Sequence, residues 1–196
     1  ANYDEAFVHC KRMVSETGAT YIPSFEDYKV IAGQGTIGCE ILEEMPETET
    51  IIVPVGGGSL VSGIAVWAKT VNPNIRIIGA QSTAAYTMYE CFKAKKIVEV
   101  PVPPTLADGL AGGIDQITLD LVLKYVDDIV LAEEEGLMRT ILWVLKNERQ
   151  VVEGSAVVGP AAILQGKVRF KPGERVVVVI SGGNIDMELL GLPQAL

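Results

Sequence analysis

The chain has 196 residues, 48% of them apolar, with 16 Lys and Arg against 25 Asp and Glu and a formal net charge of −9. That is enough chain for a buried core in one or two domains, and the acidic balance excludes a nucleic-acid binder built on a clustered basic face. No apolar run approaches the ~20 residues of a membrane span. The opening Ala1-Asn2-Tyr3-Asp4-Glu5 gives the expectation of no secretory leader. Cys10, Cys39 and Cys91 form neither close pairs nor an even framework, which predicts reduced thiols in a cytoplasmic protein.

Asn2 can cap a helix running from Tyr3 to about Thr17, with Phe7, Cys10 and Val14 at helical spacing and Gly18 as its stop. Thr20 to Ile22 reads as a short strand closed by Pro23, and Gln34 to Met45 as a helix ended by Pro46. The β-branched run Thr50 to Val55 meets Gly56-Gly57-Gly58-Ser59, after which Leu60 to about Thr70 is helical. Ile75 to Ala80 is a strand, and Thr83 to Lys95 a helix whose last turn carries lysines. Prolines make 100–105 loop or edge. Leu119 to Val126 is helix and Asp128 to Leu131 strand; Glu133, Glu134 and Glu135 then open a helix reaching about Glu148. Ser155 to Gln165 is a small-residue helix, broken by or bent at Gly159-Pro160. Arg175 to Ile180 is a buried strand that runs into Ser181-Gly182-Gly183-Asn184. Short apolar strands alternating with helices predict an α/β fold, an open parallel sheet with helices on both faces. A domain boundary falls near residues 24 to 32.

The loop after Val55 carries the strongest chemical signal. Glycines let a backbone turn tightly and approach a ligand, and the first N–H groups of the following helix point outward at the positive end of its dipole. A phosphate fits there, with the Ser59 hydroxyl as a further donor, although the sequence is neither a Walker loop nor GxGxxG. The alternative is an ordinary tight turn; placement at the carboxyl end of an apolar strand favours the ligand. Ser181-Gly-Gly reads alone as a helix cap, yet two such loops in one parallel sheet point to a shared pocket. Glu153, after apolar residues and before a glycine, is either a solvated carboxylate or a group for proton chemistry. Asp108-Gly109 reads as a turn, with a ligand role as the weaker alternative. His9 is the lone histidine and there is no Cys pair, so no zinc site is expected.

Ile31-Ala-Gly-Gln-Gly-Thr-Ile-Gly38, Val53 to Gly63, Ala107-Asp-Gly-Leu110, Glu153-Gly-Ser-Ala156 and Ile180 to Asp186 together resemble, in order, the threonine dehydratases (threonine ammonia-lyases) and serine racemases. These are fold-type II enzymes, with a tryptophan synthase β-like fold, that use pyridoxal 5′-phosphate (PLP). The resemblance implies that Gly56, Gly57, Gly58, Ser59 and Leu60 hold the cofactor phosphate, that Ser181 bonds the pyridine nitrogen, and that Glu153 sits near the cofactor. It implies elimination of the β-hydroxyl of L-threonine or L-serine to give a 2-oxo acid and ammonia. Serine racemase or another β-eliminase of this fold is the alternative, and a non-enzymatic phosphate-binding module a third. The family's Ser-Phe-Lys motif, with the lysine that carries the cofactor, has no counterpart: Ser24-Phe25 is followed by Glu26. No catalytic residue is therefore assigned, and the expectation is a C-terminal portion, inactive alone. Residues 1–30 would be a remnant of the small domain and 31–196 the large PLP-binding domain. Where some members hold a divalent cation on a Glu and an Asp, this chain has Gln81 and Thr87, so no metal is expected. The implied partners are a small amino-acid substrate and further copies of the chain, with the N-terminal segment as a separate chain an added case; neither nucleic acid nor membrane is among them.

Overall fold

The structure, a computed structural model, describes residues 3–191. Its sheet is built by β1 (Thr50–Pro54), β2 (Arg76–Ser82), β3 (Asp128–Ala132) and β4 (Val176–Val178), all parallel, in the order β3-β2-β1-β4. Alternate residues of β1 face opposite sides. Ile51, Val53 and Val55 join a core with Val61, Ile64 and Ala65 of α3 (Ser59–Val71), Met88 of α4 (Thr87–Ala94) and Leu119 of α5 (Gln116–Tyr125). Ile52 joins a second core with Leu137 and Ile141 of α6 (Leu137–Glu148) and Ala161 of α7 (Val158–Leu164). A sheet covered on both faces needs strands apolar on both faces, which is why β1 has no polar alternation.

Before β1 lie α1 (Tyr3–Thr17) and α2 (Tyr28–Glu44). Asn2, read as the cap of α1, lies outside the described residues. Thr20 to Ile22 is not a strand: the segment pairs with no described strand and runs as loop into Asp27. There the Asp27 carboxylate accepts from the N–H groups of Lys29 and Val30, so α2 starts six residues ahead of the predicted Gln34. Asp115 does the same for α5, accepting from Ile117 N–H and moving its start back from Leu119 to Gln116. Thr83 to Tyr86 is a turn rather than helix.

Gly159-Pro160 neither breaks nor bends α7. A 3-10 turn covers Gly154–Val157 and the α-helix begins at Val158, so Pro160 falls in the first turn, where no intrahelical N–H is required. The last strand was expected to be buried, and is instead half-buried. β4 spans only Val176–Val178 and pairs with β1 alone, leaving its other edge without a partner among the described strands. Among the described residues, no helix is long and apolar enough to cross a membrane.

Candidate functional site

The order β3-β2-β1-β4 places the site. The chain passes from β1 outward through β2 to β3, then returns to the opposite side of β1 for β4. Connections leaving β1 and β4 therefore diverge, and a crevice opens beyond their carboxyl ends. The glycine loop follows β1 and the Ser181 turn follows β4, so both open on this crevice. Together they line a cavity of about 270 Å³, close to the lower end of small-ligand sites at roughly 300 Å³. All of Gly56, Gly57, Gly58, Ser59, Leu60, Glu153 and Ser181 line it.

The glycine loop is specified residue by residue. Gly58 sits at φ +99°, where an L side chain is strained, and a Cβ there would also lie 2.7 Å from Met88 Cε and 3.0 Å from Thr118 Cβ. A Cβ on Gly57 would fall 2.5 Å from the Phe25 ring. Gly58 is also the N-cap of α3, and a glycine supplies no capping oxygen, so the leading N–H groups of that helix remain for a ligand. Behind the loop, the fully buried Gln81 donates from Nε2 to the Val55 carbonyl at 2.9 Å and accepts at Oε1 from Tyr89 N–H at 2.7 Å. Its carboxamide thus ties Val55, the residue that leads from β1 into the loop, to α4. Among the described residues, no group of three or more His, Cys, Asp and Glu is arranged to hold a metal.

Glu153 holds the second turn. Its Oε2 accepts from Asn184 N–H at 2.9 Å and its backbone N–H donates to the Gly182 carbonyl at 3.2 Å. A Cβ on Gly182 would lie 2.8 Å from Glu153 Oε1, so the close approach depends on glycine. The third wall is the loop Gly109 to Gly113. Glu134 pins the segment just ahead of this loop: its carboxylate accepts from Leu106 N–H at 2.5 Å, from the Thr105 hydroxyl at 2.9 Å and from the Ser82 hydroxyl. Of the three successive glutamates read as helix-start charges, the middle one is a tertiary anchor; Glu133 pairs with Lys167.

Sequence reasoning passed over several cavity residues. Phe25 and Ser24 line it, as do Gly112, Gly113 and Ser155; Gly109, read as a turn with a ligand role as the alternative, lines it too. The Asp108-Gly109 turn and the Glu153-Gly-Ser-Ala156 motif were the available signals, but neither says which way a wall residue faces. Among the described residues, no Lys or Arg lines the cavity, and Glu153 is its one carboxylate. An anion here is met by backbone N–H groups and the α3 dipole rather than by a side-chain cation.

These features have counterparts in known proteins. The family described as pyridoxal-phosphate dependent enzyme matches residues 1–182. An L-threonine ammonia-lyase of Thermotoga maritima is 43% identical over 189 residues, 96% of this chain and 47% of that protein. The catabolic L-threonine dehydratase of Escherichia coli K12 is 38% identical, covering 95% of this chain and 57% of its own length. The solved structure of maize serine racemase superposes with a TM-score of 0.90 at 33% identity, over 97% of this chain and 59% of that one. The chain spans about half the length of the curated relatives it matches.

Proposed function

The chain belongs to the pyridoxal-phosphate dependent enzyme family, and from that premise we propose that it is the cofactor-binding portion of an L-threonine/L-serine ammonia-lyase. The activity would remove the β-hydroxyl of the amino acid and release a 2-oxo acid and ammonia. One observation carries the reading: the uncapped helix start after β1 and the serine turn after β4 meet in a single cavity. The residues present fit PLP. A glycine cradle offers N–H groups to a phosphate, Ser181 lines the cavity from the other strand end, and a buried Ser155 hydroxyl on the same wall has no hydrogen-bond partner among the described residues.

When bound, PLP supplies an electron sink that loosens bonds at the substrate's α-carbon. Gly56 to Leu60 would hold the phosphate through backbone N–H groups at the α3 N-terminus. Ser181 would bond the ring nitrogen; a neutral hydroxyl does not enforce protonation there as a carboxylate would. That neutral contact at Ser181 would favour loss of a β-hydroxyl over racemisation. Glu153, by accepting from Asn184 N–H, would keep the Ser181 turn in place. The lysine that carries the cofactor in this family would lie outside the 196 residues. Residues 1–30 would belong to a smaller domain and 31–196 to the larger one, and the protein would be a cytoplasmic homo-oligomer.

The maize serine racemase superposition favours a second reading, racemisation of serine at the same site. The two separate in one assay. The complete polypeptide, supplied with PLP and L-threonine or L-serine, is expected to give 2-oxo acid, and the 196-residue chain alone to bind PLP in equilibrium dialysis without turnover. Predominant D-serine would select the racemase reading. A chain that retains no PLP would leave only a phosphate-binding module.

A further inference from the structure

Ser155 is 3% exposed, and its hydroxyl has no hydrogen-bond partner among the described residues. A buried hydroxyl left unpaired is unfavourable, so such atoms in native proteins call for an explanation. This one lines the cavity shared by the glycine loop and the Ser181 turn. Its place along the wall follows from close approaches. Gly109 adjoins the glycine loop, its carbonyl lying 3.3 Å from where a Cβ of Gly56 would be. A Cβ on Gly109 would in turn lie 2.8 Å from Ser155 Oγ and 3.9 Å from Glu153 Oε1, and a Cβ on Gly182 2.8 Å from that same Glu153 oxygen. The wall thus runs from Gly56 through Gly109 to Ser155 and Glu153, and on to the turn carrying Ser181. Ser155 stands between the two ends.

We propose that Ser155 is a ligand-binding residue of this cavity. Its hydroxyl bonds a polar atom in the midsection of a ring-bearing phosphoester, between the phosphate at the glycine loop and the ring nitrogen at Ser181. The assignment rests on the functional reading above and adds to it a third polar contact, one that recognises the ring rather than the phosphate. A hydroxyl can donate or accept, so it matches a ring oxygen in either protonation state.

The test uses Ser155→Ala in this chain, with Ser62→Ala as control. Ser62 is fully buried and also lacks a partner, but it lies within α3 and does not line the cavity. Dissociation constants for PLP and for inorganic phosphate are measured by equilibrium dialysis, and melting temperature without ligand by calorimetry. Loss of one neutral hydrogen bond is expected to weaken PLP about three- to tenfold in Ser155→Ala. Inorganic phosphate should bind as before, and Ser62→Ala should leave both constants alone. Because the hydroxyl is unpaired without ligand, the ligand-free Ser155→Ala chain should melt no lower than the parent. Unchanged PLP affinity in Ser155→Ala overturns the assignment, as does an equal loss for phosphate, which would put the hydroxyl at the phosphate end. A lower melting temperature with unchanged affinity would show a packing role instead. If the parent chain binds phosphate but not PLP, the functional reading falls and the assignment falls with it.

Discussion

Glu174 lies at the amino end of the sheet, away from the cavity, and shows how one carboxylate can tie two strands together. It accepts from the Thr50 hydroxyl at 2.6 Å and from Lys171 N–H at 2.7 Å, with Arg76 at 3.4 Å. These hydrogen bonds, first that from Thr50, and then the Arg76 charge hold its carboxyl below the usual carboxylate range. A carboxyl depressed on folding stabilises the native state above its unfolded value of about 4.3, and that stabilisation is lost as pH falls through the folded value. Glu174→Gln is therefore expected to cost about 1 kcal/mol at neutral pH. In urea unfolding, the gap between variant and parent should close as pH drops below about 4. A gap independent of pH would show that the charge is irrelevant. Ser181 offers a chemical counterpart. If Ser181 bonds the ring nitrogen as proposed, Ser181→Asp in the complete polypeptide would put an anion there and should shift the ratio of elimination to racemisation about tenfold toward racemisation. An unchanged ratio of 2-oxo acid to D-amino acid would refute that role. Both the Ser181 and glycine-loop positions were legible in the sequence, because each is a polar or flexible residue directly after an apolar strand. Ser155 and Glu134 were not, since their importance depends on which buried groups face them.

Helices α2 and α3 show where element-level reading succeeded and where it fell short. The run from Ile31 to Gly38, one of the segments that carry the family resemblance, serves packing. A Cβ on Gly63 in α3 would lie 2.3 Å from the Ile31 carbonyl oxygen and 2.6 Å from Gly35 N, and one on Gly38 would lie 3.1 Å from the Ile64 carbonyl. Small residues on both helices allow the two backbones to touch. α3 begins at the glycine loop, so this crossing also fixes the direction in which its leading N–H groups point. Gly63→Ala should force the helices apart and destabilise the fold by about 1–3 kcal/mol, measured by urea unfolding. PLP affinity should fall as well, because the loop moves with its helix. A variant of parental stability would mean that α2 shifts freely. Helix existence was legible from periodicity throughout. The starts of α2 and α5 were not, because the caps are Asp27 and Asp115, each several residues ahead of the first clear apolar repeat.

At the scale of the whole molecule, alternation of strand and helix announces a parallel sheet but cannot say that β4 lies beside β1. That pairing is long-range, and it alone turns two separate loops into one cavity. The same placement puts β4 at the margin of the sheet, half-buried. Beside it runs an apolar groove of about 760 Å³ lined by Trp143, Val151, Ile163, Leu164 and Ile180. Trp143 is 44% exposed and Leu164 55%. A strand edge with no partner among the described strands, next to an exposed apolar surface, is a template for association. The 196-residue chain is expected to self-associate with rising concentration in sedimentation velocity. Trp143→Lys with Leu164→Lys, both outward-facing on α6 and α7, should shift it toward monomer by adding charge to the groove. Because these positions lie outside the cavity lining, PLP affinity should hold in the double variant. A parent chain that stays monomeric at every concentration would show that the β4 margin is protected without a partner.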